Sequence, residues 1–321
     1  MPNNQLIRTH QEVGYEPGGS TTIDLPRSHF YERLNLVVDW DIMVDTAGAA
    51  SYVGAGILDL IDDISVKFNG NKTPKSTGLA MSHFVDWFQY GTRPLYDEPD
   101  LGTASQQTGQ LQTFVDFLVH PGQYGAMLPS FKFSDLTLTI SWATEDAIVD
   151  DATAITINDA TVAVESTERK KQSVPSQGRP MSKILQALSG FKETERTRQL
   201  TTDGVTTVEL PKGNAYYAVP LLVLDDGSPD NDLVERLKIE EDGVSTHKDS
   251  TFDLFRANDK QQYGIEARPD GFVYLNYGVH GDLSDVVGTS NMDAFELQLD
   301  LGNNQPTDPA EARVVSQELV R

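Results

Sequence analysis

Thr21–Val38 reads TTIDLPRSHFYERLNLVV, and Thr206–Val223 reads TTVELPKGNAYYAVPLLV. Offset by 185 residues, the two stretches share seven of 18 positions: the Thr21-Thr22 pair, Leu25, Pro26, Tyr31, Leu36 and Val38. Asp24/Glu209 and Arg27/Lys212 conserve charge. Working outward, Leu60–Gly70 matches Leu233–Gly243 at an offset of 173, which holds without a gap to Asp86, Gln89, Tyr90 and Gly91 against Asp259, Gln262, Tyr263 and Gly264. A third block pairs Phe114-Val115 with Phe272-Val273, and a fourth pairs Phe133–Ile140 with Met292–Leu299. Ordered blocks separated by gaps are what a duplication followed by loop drift leaves behind, and two copies rather than many mean tandem domains instead of a solenoid.

Within each copy the apolar residues alternate. Leu34, Leu36, Val38, Trp40 and Ile42 share one face of Phe30–Val44, while Asn35, Asp39 and Asp41 share the other. Ile64, Val66 and Phe68, then Leu136, Leu138 and Ile140, then Phe295, Leu297, Leu299 and Leu301 repeat the pattern. One dry and one wet face per strand predicts antiparallel sheets packed face to face. Met81, Phe84, Val85 and Phe88 fall at helical spacing ahead of Gly91, so a short helix is expected there and at the equivalent Phe252–Gly264. A further helix is suggested at Ser182–Ser189. The fold class expected is all-β: two tandem β-sandwiches related by internal duplication, with short helices in connecting loops.

The 321 residues suffice for two cores of roughly 130–150 residues each. The domains read as an N-terminal arm 1–20, a first sandwich 21–165, a linker 166–202, a second sandwich 203–303 and a C-terminal arm 304–321. A strand-like segment, Ala154–Val164, has no clear counterpart in copy two, so either it closes the first sandwich or the repeat frame misses a strand. Glu165–Arg198 carries eight basic against four acidic residues in a chain of net charge −23, which suits an interaction arm or a solvated linker. The acidic excess makes nucleic acid a poor direct partner, because phosphate affinity comes from Lys and Arg. It also points to a saline setting, where the repulsion is screened. The chain has no cysteine, which excludes disulfides, zinc–thiolate sites and cysteine nucleophiles. No signal peptide is visible at Met1–Thr22, and no apolar run is long enough for a transmembrane helix.

No catalytic signature is present. The six histidines, His10, His29, His83, His120, His247 and His280, form no metal-binding spacing, and neither a nucleophile elbow nor a phosphate loop occurs. Asp225, Asp226, Asp230 and Asp232, on a loop with Gly227 and Pro229, are the candidate metal ligands: hard oxygens on a tight loop could hold calcium, the alternative being a charged turn. No other cofactor is expected. Phe84, Trp87, Phe88 and Tyr90 make either a helix stripe facing the core or a sugar-stacking platform, with Trp87, off the stripe, expected to be exposed or at an interface.

Each copy opens with an acid-Leu-Pro-base string, Asp24-Leu25-Pro26-Arg27 and Glu209-Leu210-Pro211-Lys212, followed by a long apolar strand. With its duplication, size and lack of cysteine, the chain resembles the double jelly-roll major capsid proteins of tailless icosahedral viruses, many with an internal membrane, over roughly 21–142 and 206–301. The resemblance implies two jelly rolls, a homotrimer of pseudo-hexagonal outline, and a structural rather than enzymatic role in the virion capsid after synthesis in the host cytoplasm. It implies further copies and other capsid proteins as partners, with an underlying viral membrane as a candidate partner. Two alternatives stand beside it: a carbohydrate-binding or carbohydrate-active tandem β-sandwich, which would want an exposed aromatic row and a carboxylate pair across a groove, and a virion spike or adhesion module.

Overall fold

The computed structural model describes residues 5–70, 72–118, 127–170, 190–265, 268–278, 285–307 and 309–320. It divides into two compact units, one on Met1–Asp86 and Arg93–Lys192, the other on Trp87–Thr92 and Glu193–Val320.

The first unit is built from β1 (Gln5–Thr9), β2 (Val13–Gly14), β3 (Ser20–Asp24), β4 (Phe30–Val44), β5 (Ile61–Phe68), β6 (Lys72–Thr77), helix α1 (Leu79–Tyr90, as far as Asp86), β7 (Gln106–Asp116), β8 (Leu128–Pro129), β9 (Leu136–Trp142) and β10 (Ile155–Arg169). Setting aside the two-residue strands β2 and β8, eight strands remain. The first pairs with the eighth (β1 with β10), the second with the seventh (β3 with β9), the third with the sixth (β4 with β7) and the fourth with the fifth (β5 with β6), all antiparallel. The unit is one long hairpin rolled up on itself. Its sheets run β1-β10-β4-β7 and β6-β5-β9-β3, the jelly-roll order.

The second unit repeats this. It holds β11 (Gly190–Gln199, from Glu193 onward), β12 (Val205–Glu209), β13 (Ala215–Asp225), β14 (Ser228–Pro229), β15 (Arg236–Glu241), β16 (Ser245–Thr251), helix α2 (Phe252–Tyr263), β17 (Phe272–Asn276), β18 (Val287–Gly288), β19 (Phe295–Asp300) and β20 (Glu311–Val320). Its sheets run β11-β20-β13-β17 and β12-β19-β15-β16, each strand in the place of its first-unit counterpart.

Alternation explains the packing. In β4 the residues from Leu34 to Val44 are buried at every second position, and β9 and β19 are buried at Leu136, Leu138, Ile140 and at Phe295, Leu297, Leu299. The inner faces meet as two cores. The first includes Leu36, Val38, Trp40, Ile64, Leu138 and Trp142; the second includes Val219, Leu221, Leu237, Ile239, Leu297 and Leu299. β13 departs from the pattern, being buried on both faces, since its other side (Ala218, Pro220, Leu222, Leu224) is apolar too.

The ladders test the repeat frame residue by residue. Thr21 faces Ile140 and Thr206 faces Leu299; Ile64 faces Ile140 and Leu237 faces Leu299. The first, second and fourth blocks are thus in register. The third is not. Asn35 faces Phe114, and its counterpart Pro220 faces Tyr274, so Phe114 corresponds to Tyr274 and not to Phe272. The strand without a counterpart is found as well: Val162 and Val164 of β10 face Val38 and Leu36, while Ala312 and Val314 of β20 face Val223 and Leu221, an offset of 150.

Both terminal stretches read as arms carry strands. β1 lies along β10, and β20 lies beside β13 in the middle of its sheet. β11, read as linker, is the counterpart of β1 at the same offset of 185 as the opening motif. The suggested helix at 182–189 lies outside the described residues. No helix among the described residues is long and apolar enough to cross a membrane.

Candidate functional site

The acid-Leu-Pro-base string locks the same corner in both rolls. Leu25 and Leu210 are buried, and their amides donate to the carbonyls of Leu136 and Phe295 (both 2.9 Å). The carbonyl of Pro26 accepts the Tyr31 hydroxyl at 2.8 Å, and that of Pro211 accepts the Tyr216 hydroxyl at 2.7 Å. The basic residue closes the corner from outside: Arg27 donates to the Phe133 and Ser134 carbonyls, Lys212 to that of Asp293. A motif with this geometry joins a loop to the start of a strand; it offers no reacting group.

Beneath each tyrosine lies a buried glutamate that the sequence reading missed. Glu168 faces Tyr31 across the ladder and Glu318 faces Tyr216, each beside a bulge, and both carboxylates are fully buried. Glu168 accepts from Ser166 Oγ at 2.8 Å with Arg8 Nε 3.6 Å away; Glu318 accepts from Asn214 Nδ2 at 2.6 Å. The signal was legible in Val164-x-Ser166-x-Glu168 against Val314-x-Ser316-x-Glu318, had β20 been recognised. Burial beside these carboxylates pushes both tyrosine hydroxyls well above their usual range, so they remain protonated donors. Tyr31→Phe and Tyr216→Phe are each expected to lower stability by about 1–2 kcal/mol, because a proline carbonyl loses its partner. The corners lie in separate units, so the losses should add in the double variant, checked by urea denaturation.

A second duplicated device ties each helix to its sheet. Asp86 of α1 accepts from Thr113 Oγ1 (2.6 Å) and the Phe114 amide (2.7 Å); Asp259 of α2 accepts from the Tyr274 amide (2.8 Å). Burial drives the Asp259 carboxyl up to about 7, against the pull of the Tyr274 amide and of Arg268, Lys248 and Arg256. In α1, His83 is fully buried, its Nδ1 donating to the Gln112 carbonyl (2.9 Å), and burial pushes it down to about 4, which keeps it neutral.

The candidate calcium loop is organised by its own backbone. Asp226 and Gly227 both have positive φ (49° and 66°), forming the tight turn between β13 and β14. Asp225 Oδ1 accepts the Thr307 amide at 2.6 Å, and Asp230 Oδ1 accepts the amides of Asp232 and Leu233 at 2.8 and 2.5 Å. The four carboxylates are therefore not gathered: among the described residues no group of three or more His, Asp or Glu side chains could hold a metal ion. Such Asp-to-amide bonds are what aspartates at turns commonly make. The aromatics of α1 do not form an exposed row: Phe84, Trp87 (8 % exposed) and Phe88 are buried, as are the polar Ser82, His83 and Asp86 of the same helix, and Tyr90 is half-buried.

The wet face of β4 and β7 carries carboxylates bonded to amides: Asp39 to Gln110 and Asp41 to Gln106 (both 2.6 Å), with Asn35 bonded to Gln112 at 2.8 Å. No protein-family model matches the chain, and no curated protein matches it in sequence. Solved structures do. The major capsid protein of Sulfolobus turreted icosahedral virus superposes with a TM-score of 0.77 at 15% identity, covering 98% of this chain and 96% of that one. This is the double jelly-roll fold. The capsid of the virus PBCV-1 (TM-score 0.64, 12% identity, 98% and 94% covered) and the major capsid protein of bacteriophage PM2 (0.59, 14%, 99% and 98%) share it. Each matches over nearly its whole length, so both rolls and their order are common to all, at sequence identities of only 12–15%.

Proposed function

We propose that this chain is the major capsid subunit of an icosahedral virus, acting by assembly rather than catalysis, in the virion, with copies of itself and other capsid proteins as partners. The observation that carries the reading is the whole-chain correspondence with the double jelly roll of major capsid proteins, with all eight strands present in both rolls. Three chains would bring six similar sandwiches around one axis, which is the outline a hexagonal lattice accepts. Burial of Phe84, Trp87 and Phe88 removes these three residues as an exposed stacking row for a carbohydrate.

Electron microscopy of the purified protein tests this directly. Trimeric capsomers with six-lobed outlines, or particles tiled by them, are expected; a monomer at every concentration would overturn it. Salt supplies a second reading. Subunits of net charge −23 repel one another, and the Debye length falls from about 10 Å at 0.1 M to about 3 Å at 1 M. Association should therefore strengthen with salt over that range, seen as a shift of the monomer–oligomer midpoint to lower concentration in light scattering. Weakening by salt would contradict a shell held by screened acidic surfaces.

A further inference from the structure

The two rolls share topology but not enclosure. β6 and β16 are counterparts, at an offset of 173, beside β5 and β15 respectively, but only β16 ends its sheet among the described residues. From Thr73 to Thr77, every residue of β6 is less exposed than its counterpart from Thr246 to Ser250. Lys75 shows the difference best. It is 1% exposed, with its ammonium 3.9 Å from the centre of the Phe191 ring and 6.0 Å from that of Phe117. Phe191 belongs to Gly190–Lys192, the opening residues of β11, which lie in the first unit next to β6.

In the second unit Lys248 takes the place of Lys75, and its ammonium lies 5.0 Å from the ring of Tyr277, the counterpart of Phe117. Among the described residues no aromatic ring other than that of Tyr277 lies over the Lys248 ammonium. A cleft of about 350 Å³ opens there instead, lined by Lys248, Phe255, Asp259, Gln262, Asn276 and Tyr277 among others. The Tyr277 hydroxyl is buried and finds no hydrogen-bond partner among the described residues. β16 ends its sheet, with no strand on its outer edge among the described residues.

The counterpart of Gly190–Lys192, at the offset of 185, is Gln5–Ile7 of β1, and Phe191 corresponds to Leu6. β1 also ends its sheet, and Ile7 is 68% exposed. Among the described residues β1 and β16 are both open strand edges, and Gly190–Lys192 beside β6, within the first unit, shows strands of these two kinds side by side.

We propose that β16 of one copy receives β1 of a second copy, with Leu6 entering the cleft over Lys248 as Phe191 covers Lys75. The contact extends the sheet by one strand and covers two edges that would otherwise invite promiscuous pairing. It is head-to-tail, joining two different surfaces, so repetition closes into a ring or propagates. This deepens the capsid reading and rests on it, since it names the surface through which copies associate.

The absence of cysteine makes the test direct. Two single variants, Ile7→Cys and Asp249→Cys, are mixed under associating conditions and treated with a short bismaleimide. The mixture is expected to give a cross-linked dimer, while each variant alone stays uncross-linked, because the contact pairs unlike surfaces. Lys192→Cys with Ser76→Cys in one chain, the equivalent positions, should bridge internally. Leu6→Asp should raise the concentration needed for association at least tenfold with the circular dichroism of the monomer unchanged. If wild-type oligomers form but the mixture does not cross-link, or either variant cross-links with itself, or Leu6→Asp associates normally, this interface is refuted while the capsid reading stands. If the wild type never associates, both fall.

Discussion

Gly271→Ala is expected to destabilise the second roll by about 3 kcal/mol or more, a large fraction of the stability a domain ordinarily has. Gly271 has φ of +67°, where a side chain costs about 1–2 kcal/mol. Steric overlap adds the greater part. A β-carbon there would collide with the Val223 carbonyl oxygen and approach the Asp230 amide to 3.0 Å. These atoms are already engaged with one another: Asp230 N donates to Val223 O at 3.0 Å, and Val223 N to Gly271 O at 2.9 Å. Obstruction by backbone on both sides leaves no rotamer to relieve it. Gly264 is the control. Its φ is +69°, but open space surrounds it, so Gly264→Ala should lose only the about 1–2 kcal/mol that the left-handed backbone imposes. Calorimetry of the three proteins decides; equal losses in both variants would show that the close approach at Gly271 carries no weight.

The second large effect is on pH dependence. The Asp259 carboxyl, at about 7 in the folded chain against 3.8 for the free group, binds its proton more tightly folded than unfolded. Its contribution is fully present below about pH 4 and is lost as pH rises to about 7. At about 1.4 kcal/mol per unit, the loss is at most on the order of 4 kcal/mol. Asp259→Asn keeps an oxygen for the Tyr274 amide and cannot ionise, so the decline between pH 4 and 7 should flatten in that variant. Melting temperatures of both proteins across this range give the comparison; parallel curves would show that the group titrates outside the window.

Both predictions concern residues whose roles the sequence shows unequally. Asp259 stood in the gapless second block opposite Asp86, and the two form the same helix-to-strand bond. Blocks spanning a long strand or a helix kept their register, since many side chains hold them in place. The Phe114-Val115 match slipped by two residues, which the alternation cannot detect because a two-residue slip leaves every side chain on its own face. β20 escaped notice because Ser316, Gln317 and Glu318 are buried polar residues that break its apolar alternation. β1 escaped because five residues with two exposed flanks resemble a tail. The aspartates of 225–232 were visible as a cluster, but whether carboxylates converge or turn to their own amides depends on backbone angles that composition does not encode. Trp87 was misplaced for a related reason: periodicity identifies the more apolar side of a helix, not how many sides are covered.

Between the two rolls, the numbering offset falls from 185 at β1 and β3 to 173, 160, 159 and finally 150 at the last strand. Every step lies in a connection, and none lies in the ladder. Because a rolled hairpin sets its first strand beside its last however long the turns between them are, length can be gained or lost at the tips without moving the flanks. A roll of this kind can therefore be remodelled at its ends while the borders of its sheets keep the same partners.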